Sequence, residues 1–248
     1  MSSQTSTRLT KRQRKLSEKS SINSIKQQNM QLKHIEPMTE NQEKVFEAYQ
    51  KGHNLFLHGC AGTGKTFIAL WLGLKELESQ KTKKNKIVII RSAQSSKDIG
   101  FLPGSEKQKL EVYEGAYRGI CSELFGRADA YDVLKSKGII EFHSTSFWRG
   151  STIDDAIIIF DEVQNTRYSE FRTILTRVGN NARIILCGDS KQDDLTSERF
   201  KEQSGIQEMM KVFTMMNMIS VIHFTIDDIV RSGFVKDFLI AEYTLGIY

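Results

Sequence analysis

One eight-residue segment, GCAGTGKT at residues 59–66, limits the possible folds of this chain more than any other. It fits the pattern G-x-x-x-x-G-K-[ST], which predicts a phosphate-binding loop. Such a loop needs a strand before it and a helix after it, and the largely apolar runs at 55–57 and 67–74 meet this requirement. The alternative, a glycine-rich surface turn, does not explain the Lys-Thr pair. The segment therefore predicts a nucleotide-binding domain of the α/β class.

The residue types in this loop indicate how it would hold a nucleotide. Glycines allow successive backbone N–H groups to converge on phosphate oxygens at the positive end of a helix dipole. We expect the Lys65 ammonium to reach the β- and γ-phosphates of ATP, and the Thr66 hydroxyl to ligate Mg²⁺. The predicted nucleotide contacts in the loop are Gly59, Ala61, Gly62, Thr63, Gly64, Lys65 and Thr66.

A second segment, AIIIFDE at residues 156–162, joins an apolar strand to two carboxylates. They follow the C-terminal end of the strand, where open parallel sheets bind their ligands. We expect Asp161 to hold Mg²⁺, usually through water, and Glu162 to polarise the attacking water. An Asp-Glu pair alone is often only a solvated strand end, but downstream of a phosphate loop it indicates ATP hydrolysis.

Gln42, which precedes the phosphate loop, has two possible roles. With Thr39 it forms a capping-box pattern at the start of a helix that Gly52 ends. In helicase-like ATPases, however, a glutamine ahead of the loop often hydrogen-bonds the adenine. We favour the adenine contact.

Two residues beyond the later strands are further candidates for the catalytic site. Gln192 follows the strand at 183–189, where its amide would contact the γ-phosphate; an ordinary polar loop is the alternative. Arg231 lies at a junction between elements, where an arginine would sense phosphate. Its alternative role is an ion pair with Asp227 or Asp228, which would cap a short helix.

Positive charge is concentrated at the N-terminus. The 248 residues have a formal net charge of +5, and residues 1–36 alone hold eight lysines and arginines against two glutamates. Because this segment is rich in Ser, Gln and Lys, we expect a disordered basic tail at 1–36 and one folded domain at 37–248. The tail would contact the phosphates of nucleic acid, or it would serve only as a solubilising leader.

The remaining composition narrows the class of protein. Three scattered cysteines suit a reducing compartment better than a disulfide framework or a zinc site. The sequence contains no run of 18 apolar residues, and its start is polar and basic rather than signal-like. We therefore expect a cytoplasmic protein without a membrane partner, in the host cytoplasm if a phage encodes it.

The chain resembles the PhoH-like family of ATPases, in particular its short phage-type members, from about Pro37 to Phe238. The segments that carry the resemblance are GCAGTGKT, RSAQSSKDIGFLPGS, WRGSTIDDAIIIFDEVQN, ILCGDSKQDDL and DDIVRSGFVKDF. The resemblance implies a single three-layer RecA-like core similar to one lobe of a superfamily 1 helicase. It also implies ATP and Mg²⁺ as ligands. Val163 stands where many relatives have alanine, which is a conservative departure.

Two functional classes follow from the resemblance. The first is an ATPase coupled to RNA or single-stranded DNA, possessing a helicase-like motor activity. The second is a regulatory ATPase that acts on a protein partner without unwinding, and a small-molecule kinase ranks third. Candidate nucleic-acid contacts are the loop Lys97–Ser105, Trp148 with Arg149, and the tail, although a tryptophan and arginine are as often structural. Some relatives carry a nuclease domain, for which we expect no room here.

The resemblance also leads to a prediction about assembly. Helicases of the related superfamily complete the γ-phosphate site with an arginine from a second lobe. We expect no second lobe here, so a neighbouring subunit of a closed homo-oligomeric ring would supply the arginine. By resemblance to other RecA-like assemblies, we expect a hexamer. Arg231 is the first candidate and Arg149 the second, while the alternative keeps Arg231 in its own subunit's site.

Overall fold

The computed structural model describes residues 30–79, 81–92, 106–145, 151–189 and 205–246, with backbone only at 106–110. Several predicted features lie outside these described residues: positions 1–29 of the tail, the loop Lys97–Ser105, Trp148, Arg149 and Gln192.

Six strands form one sheet. They are β1 (Asn54–Gly59), β2 (Lys86–Arg91), β3 (Ile140–Ser144), β4 (Ala156–Asp161), β5 (Arg183–Gly188) and β6 (Ile219–Phe224). Their order across the sheet is β3-β2-β4-β5-β1-β6, and every neighbouring pair is parallel. Because all the strands run the same way, the phosphate loop after β1 and the carboxylates at the end of β4 meet at one edge of the sheet. They are separated there by β5.

Helices cover both faces of the sheet. The described helices are α1 (Glu40–Gln50), α2 (Lys65–Glu78), α3 (Glu106–Phe125), α4 (Ala130–Ser136), α5 (Tyr168–Leu175), α6 (Ile206–Thr214) and α7 (Gly233–Thr244), with 3-10 turns at Val163–Asn165 and Ile226–Asp228. No helix within the described ranges has the length and apolar character needed to cross a bilayer.

The core forms two layers because successive strand residues point to opposite faces. On β1, Leu55 and Leu57 pack with the apolar residues of α1 to α4, whereas Phe56 packs with those of α5 and α6. The central strands β4 and β5 are apolar except for Asp161 and Arg183 at their ends, as expected for strands buried on both faces. This arrangement confirms the predicted three-layer α/β fold with a parallel sheet.

The packed chain begins earlier than the sequence predicts. Leu32 is buried in the cluster that contains α2, and the Trp71 indole Nε1 donates to the carbonyl oxygen of Lys33 at 2.8 Å. Residues 30–36, which precede the predicted boundary at Pro37, therefore pack on the domain. Isolated apolar residues in a polar, basic segment have no periodicity, so the sequence does not reveal that this segment covers α2.

Candidate nucleotide site

The phosphate loop has the backbone that its glycines predict. It runs from Gly59 at the end of β1 to Lys65 at the start of α2, and Gly62 and Gly64 have left-handed φ values of 73° and 82°. A side chain at Gly59, whose φ is 115°, would place its Cβ 2.0 Å from the carbonyl oxygen of Phe224 on β6. Only glycine fits there, so the loop can lie directly against the end of β6.

The Lys65 side chain is held by the loop itself. Its Nζ donates to the carbonyl oxygens of Gly59 at 2.8 Å and Cys60 at 2.6 Å. Burial lowers the pKa of Lys65, and the nearby carboxylate of Asp189 opposes this effect. A phosphate in the loop would give this buried cation a charged partner. A charged acceptor makes a stronger hydrogen bond than a carbonyl oxygen does.

Thr66 and Asp161 come together although 95 positions separate them in the chain. The Thr66 hydroxyl donates to Asp161 Oδ1 at 2.9 Å. The other carboxylate oxygen, Oδ2, accepts a hydrogen bond from the Tyr117 hydroxyl at 2.8 Å. Burial, together with the Asp161 charge, raises the pKa of Tyr117 well above its usual value, so the phenol remains the donor. The two predicted magnesium ligands are therefore adjacent.

The chemistry of these donors fits a magnesium ion. In the part of the chain that the structure describes, no group of three or more His, Cys, Asp and Glu side chains is placed to hold a metal. Mg²⁺ does not need such a group, because it is usually held by one or two carboxylates and by phosphate oxygens of the substrate. A threonine hydroxyl and one carboxylate beside a phosphate loop provide that kind of partial site.

The Glu162 carboxylate is fixed by two neighbours. It accepts a hydrogen bond from Gln164 Nε2 at 2.6 Å, and Arg91 Nη2 lies 3.6 Å from its other oxygen. Gln164 Oε1 accepts in turn from the backbone N–H of Asp189 at 3.0 Å, so Gln164 ties Glu162 to the end of β5. Burial raises the pKa of Glu162, and the charge of Asp161 raises it further.

Gln42 connects α1 to the phosphate loop. Its Nε2 donates to the carbonyl oxygen of Thr63 at 3.0 Å, and its Oε1 accepts from the backbone N–H of Met38 at 2.8 Å. Thr39 caps α1 by accepting from the Gln42 backbone N–H at 3.3 Å, which is one half of the capping-box pattern. Since a primary amide has two N–H groups and two lone pairs, Gln42 retains hydrogen-bonding capacity beyond these contacts.

Arg231 lies beside the phosphate loop of its own chain. The backbone N–H of Val230 donates to the carbonyl oxygen of Gly62 at 3.1 Å, and a Cβ on Gly62 would lie 3.0 Å from Cγ of Arg231. The predicted cap is present, because Asp228 accepts from the backbone N–H of Thr225 at 2.8 Å. Arg231 takes no part in that cap: among the described residues it forms no ion pair with the aspartates of the turn.

A cleft of about 530 Å³ opens between these groups, a size that suits a nucleotide. We call one part the phosphate end, which is lined by Gly62, Gly64, Lys65, Thr66, Asp161 and Glu162. We call the other part the apolar end, which is lined by Ile35, Met38, Gln42, Phe67 and Ile120; Glu36 and Glu123 also line the cleft. Arg231 also lines the cleft. Apart from Gly59, the predicted loop, carboxylate, glutamine and arginine residues that the structure describes therefore border a single cleft.

Comparison with known proteins places this site in a family. The sequence profile described as PhoH-like protein matches residues 34–243. The chain belongs to the PhoH-like family. A PhoH-like protein of Mycobacterium leprae (strain TN) is 31% identical over 223 residues, covering 87% of this chain and 62% of the relative. A PhoH-like protein of Bacillus subtilis (strain 168) is 33% identical over 204 residues, with coverages of 82% and 62%. The chain thus spans about three-fifths of the length of these relatives.

Solved structures with helicase-like cores are more distant. The SWI2/SNF2 ATPase core of Sulfolobus solfataricus, in complex with double-stranded DNA, has a TM-score of 0.42 and 12% identity, covering 78% of this chain and 47% of that one. The Pif1 helicase of Candida albicans has a TM-score of 0.38 and 17% identity, with coverages of 77% and 40%. Likenesses this low carry no argument about function. The family and the phosphate loop make the chain a P-loop NTPase.

Three residues that contact the predicted carboxylates of this PhoH-like site were not predicted: Tyr117, Gln164 and Arg91. Gln164 lies two positions after Glu162, and that short spacing is the only signal in the sequence. Arg91 ends β2, which the sequence locates, but its closeness to Glu162 depends on β2 and β4 being neighbours. Tyr117 reaches Asp161 from a helix whose placement no local pattern fixes.

Proposed function

We propose that this PhoH-like protein is an ATPase that hydrolyses ATP in the presence of Mg²⁺. The observation that carries the proposal is the 2.9 Å contact between the Thr66 hydroxyl and Asp161, with Glu162 next in the chain. A phosphate loop alone supports nucleotide binding. A carboxylate aligned with the hydroxyl of the loop, and a second carboxylate beside it, supports hydrolysis.

Each residue has a separate role in this proposal. Lys65 and the backbone N–H groups of the loop bind the β- and γ-phosphates. Thr66 and Asp161 hold Mg²⁺, which when bound neutralises charge on the phosphates. Glu162 orients the attacking water, and Gln164 and Arg91 hold its carboxylate in position. Gln192, outside the described residues, remains a second candidate for contact with the γ-phosphate.

The apolar end of the cleft is proposed to bind the adenine. Ile35, Met38, Phe67 and Ile120 line it and provide an apolar surface for a planar base. The remaining hydrogen-bonding capacity of the Gln42 amide, one donor and one acceptor, matches the paired groups on the edge of adenine. This supports ATP as the nucleotide.

Arg231 is proposed to sense the γ-phosphate within its own subunit. Its position next to Gly62 of the same chain supports this alternative over an arginine supplied to a neighbour. Arg149, which lies outside the described residues, stays a candidate for the arginine that acts between subunits.

We also propose a homo-oligomeric ring, with six subunits by resemblance to other RecA-like assemblies. Helix α7 has no buried residue, and Phe234 on it is 83% exposed and Leu245 71% exposed. The same helix lies against the phosphate loop, because a Cβ on Gly62 would be 3.1 Å from Leu239. A second copy seated on α7 would therefore lie next to the nucleotide. The mass in solution with ATP tests this, and a monomer at all concentrations contradicts it.

Coupling to RNA or single-stranded DNA is the remaining part of the proposal, and it is supported by the family and by the basic tail. The test is the rate of ATP hydrolysis with Mg²⁺, with EDTA, and with added RNA or single-stranded DNA. We expect hydrolysis that EDTA abolishes and that nucleic acid stimulates. Hydrolysis that no nucleic acid alters would favour the regulatory ATPase, with the exposed face of α7 bound by a different protein.

A further inference from the structure

Tyr117 lies outside the predicted motifs, and its side chain hydrogen-bonds a predicted magnesium ligand. It lies on α3 and is fully buried. Its hydroxyl donates to Asp161 Oδ2 at 2.8 Å, while Asp161 Oδ1 accepts from Thr66 at 2.9 Å. Each oxygen of the carboxylate therefore has its own donor, and the two donors come from different helices.

A buried tyrosine hydroxyl usually finds some partner, so the hydrogen bond alone does not indicate a role in the site. The choice of partner is informative. A carboxylate that accepts one bond on each oxygen has a fixed plane, whereas one bond leaves it free to rotate about χ2. The Tyr117 ring is itself fixed by packing against Phe142, with ring centroids 5.6 Å apart. The donor is thus held by the core and not by the cleft.

We propose that Tyr117 is a positioning residue for the metal-binding carboxylate: its hydroxyl holds Oδ2 of Asp161, so that Oδ1 faces Thr66 and the magnesium ion. The inference rests on the proposed magnesium-dependent binding of nucleotide and goes one step beyond it. In this proposal the orientation of Asp161 is set by α3, a helix that contains none of the motif residues. Hydrogen-bonded neighbours of metal ligands commonly affect metal affinity in this way.

A second contact on the same helix supports this role of α3. Tyr113 lies one turn before Tyr117, and the Arg91 guanidinium sits 5.2 Å from the centroid of the Tyr113 ring. Arg91 in turn lies 3.6 Å from Glu162. One face of α3 therefore contacts Asp161 directly and Glu162 through Arg91, as expected if this helix supports both carboxylates.

The test is the substitution Tyr117→Phe, which removes the hydroxyl and keeps the ring that packs on Phe142. The readout is the Kd of a fluorescent ATP analogue in MgCl2 and in EDTA. We expect an unchanged Kd in EDTA and a Kd in MgCl2 that rises by roughly 10-fold, as for other hydrogen-bonded neighbours of metal ligands. The magnesium concentration for half-maximal binding should rise by a similar factor.

The matched control is Tyr131→Phe on α4. Tyr131 is also fully buried, but its ring lies 5.4 Å from the guanidinium of Arg118, and its carboxylate neighbour is Glu114, not Asp161 or Glu162. Both variants are checked by thermal unfolding. A folded Tyr117→Phe with the wild-type magnesium dependence overturns the proposal, as does an equal effect of Tyr131→Phe.

A second measurement separates positioning from general damage. If Tyr117 acts through Asp161, then Tyr117→Phe should add no further loss in an Asp161→Ala background. Additive losses overturn the proposal. The failure of the proposed function would look different: the wild-type protein would then bind nucleotide equally well in MgCl2 and in EDTA, which refutes both inferences.

Discussion

The phosphate end and the apolar end of the cleft are built in different ways. At the phosphate end, Lys65 and Thr66 come after β1, and Asp161 and Glu162 lie at the end of β4. These residues are joined by hydrogen bonds to each other or to their neighbours. At the apolar end, residues from the N-terminal segment, α1, α2 and α3 face each other with Gln42 as the polar link.

The two ends therefore differ in what positions their residues: the sheet positions those of the phosphate end, and packing between segments positions those of the apolar end. Parallel strands bring their C-terminal ends to one edge, so charged groups there are positioned by the backbone and tolerate little change. The apolar end is formed by segments that pack against one another. Loss of one contact there should change the affinity for the nucleotide without removing a group that takes part in hydrolysis. Substitutions at the phosphate end should therefore abolish turnover, and changes at the apolar end should mainly alter affinity.

The largest effect is expected for Lys65→Ala. It removes the buried cation of the loop, and we expect nucleotide binding or hydrolysis to be lost, with a fall in turnover of at least roughly 100-fold. Turnover and nucleotide affinity are the measurements.

Lys75→Ala on the same helix is the control, because Lys75 is half-exposed and pairs with Glu78 at 3.0 Å on the surface. If the Lys65→Ala variant still hydrolyses ATP, the phosphate loop does not have the proposed role in hydrolysis.

Glu162→Gln comes next. Its carboxylate is proposed to act on water and not on the nucleotide, so ATP should still bind while turnover falls by about 10²- to 10⁴-fold. Single-turnover hydrolysis and the Kd for ATP separate the two effects. Glu78→Gln is the surface control, and near-normal turnover in Glu162→Gln would shift the assignment to Gln192.

Arg231→Ala should have an intermediate effect, because it removes one charged contact with the γ-phosphate. Hydrogen bonds to charged groups contribute about 1.5–3 kcal/mol, so turnover should fall by roughly 10- to 100-fold. ATP affinity should fall more than ADP affinity, because ADP lacks the γ-phosphate.

Mixing Arg231→Ala with Lys65→Ala subunits decides where the arginine acts. Since Arg231 lies beside its own loop, we expect no recovery of activity in the mixture. Recovery would show that a neighbour supplies the arginine, because only a shared site could then combine an intact loop with an intact arginine.

The sequence predicted more residues of the phosphate end than of the apolar end. GCAGTGKT and the Asp-Glu pair have fixed positions relative to strands, so pattern and topology are enough to place Lys65, Thr66 and Asp161. Tyr117 and Ile35 have no such relation to a motif, because packing between distant segments brings Tyr117 to Asp161 and Ile35 to the cleft. Gln42 was predicted because a glutamine ahead of a phosphate loop often contacts the adenine, but its bonds to Met38 and Thr63 depend on the fold.

The smallest effect on hydrolysis is expected for deletion of residues 1–29, which lie outside the described residues. This segment holds seven lysines and arginines against one glutamate. Basal turnover should not change, while binding of RNA or single-stranded DNA should weaken at low salt and the loss should shrink at high salt. Equal binding by the truncated and full chains at low salt would make the segment only a leader.

Deletion of residues 1–36 tests whether the two ends of the cleft have different roles. It removes Leu32 from the core, the Lys33 carbonyl that accepts from Trp71, and Ile35 from the apolar end. We expect a lower melting temperature and a higher KM for ATP than in the 1–29 deletion. The kcat at saturating ATP should be similar in the two, because Lys65, Asp161 and Glu162 stay in place. If the longer deletion instead lowers kcat and leaves KM unchanged, the N-terminal segment supports the phosphate end, and the division between the two ends is wrong.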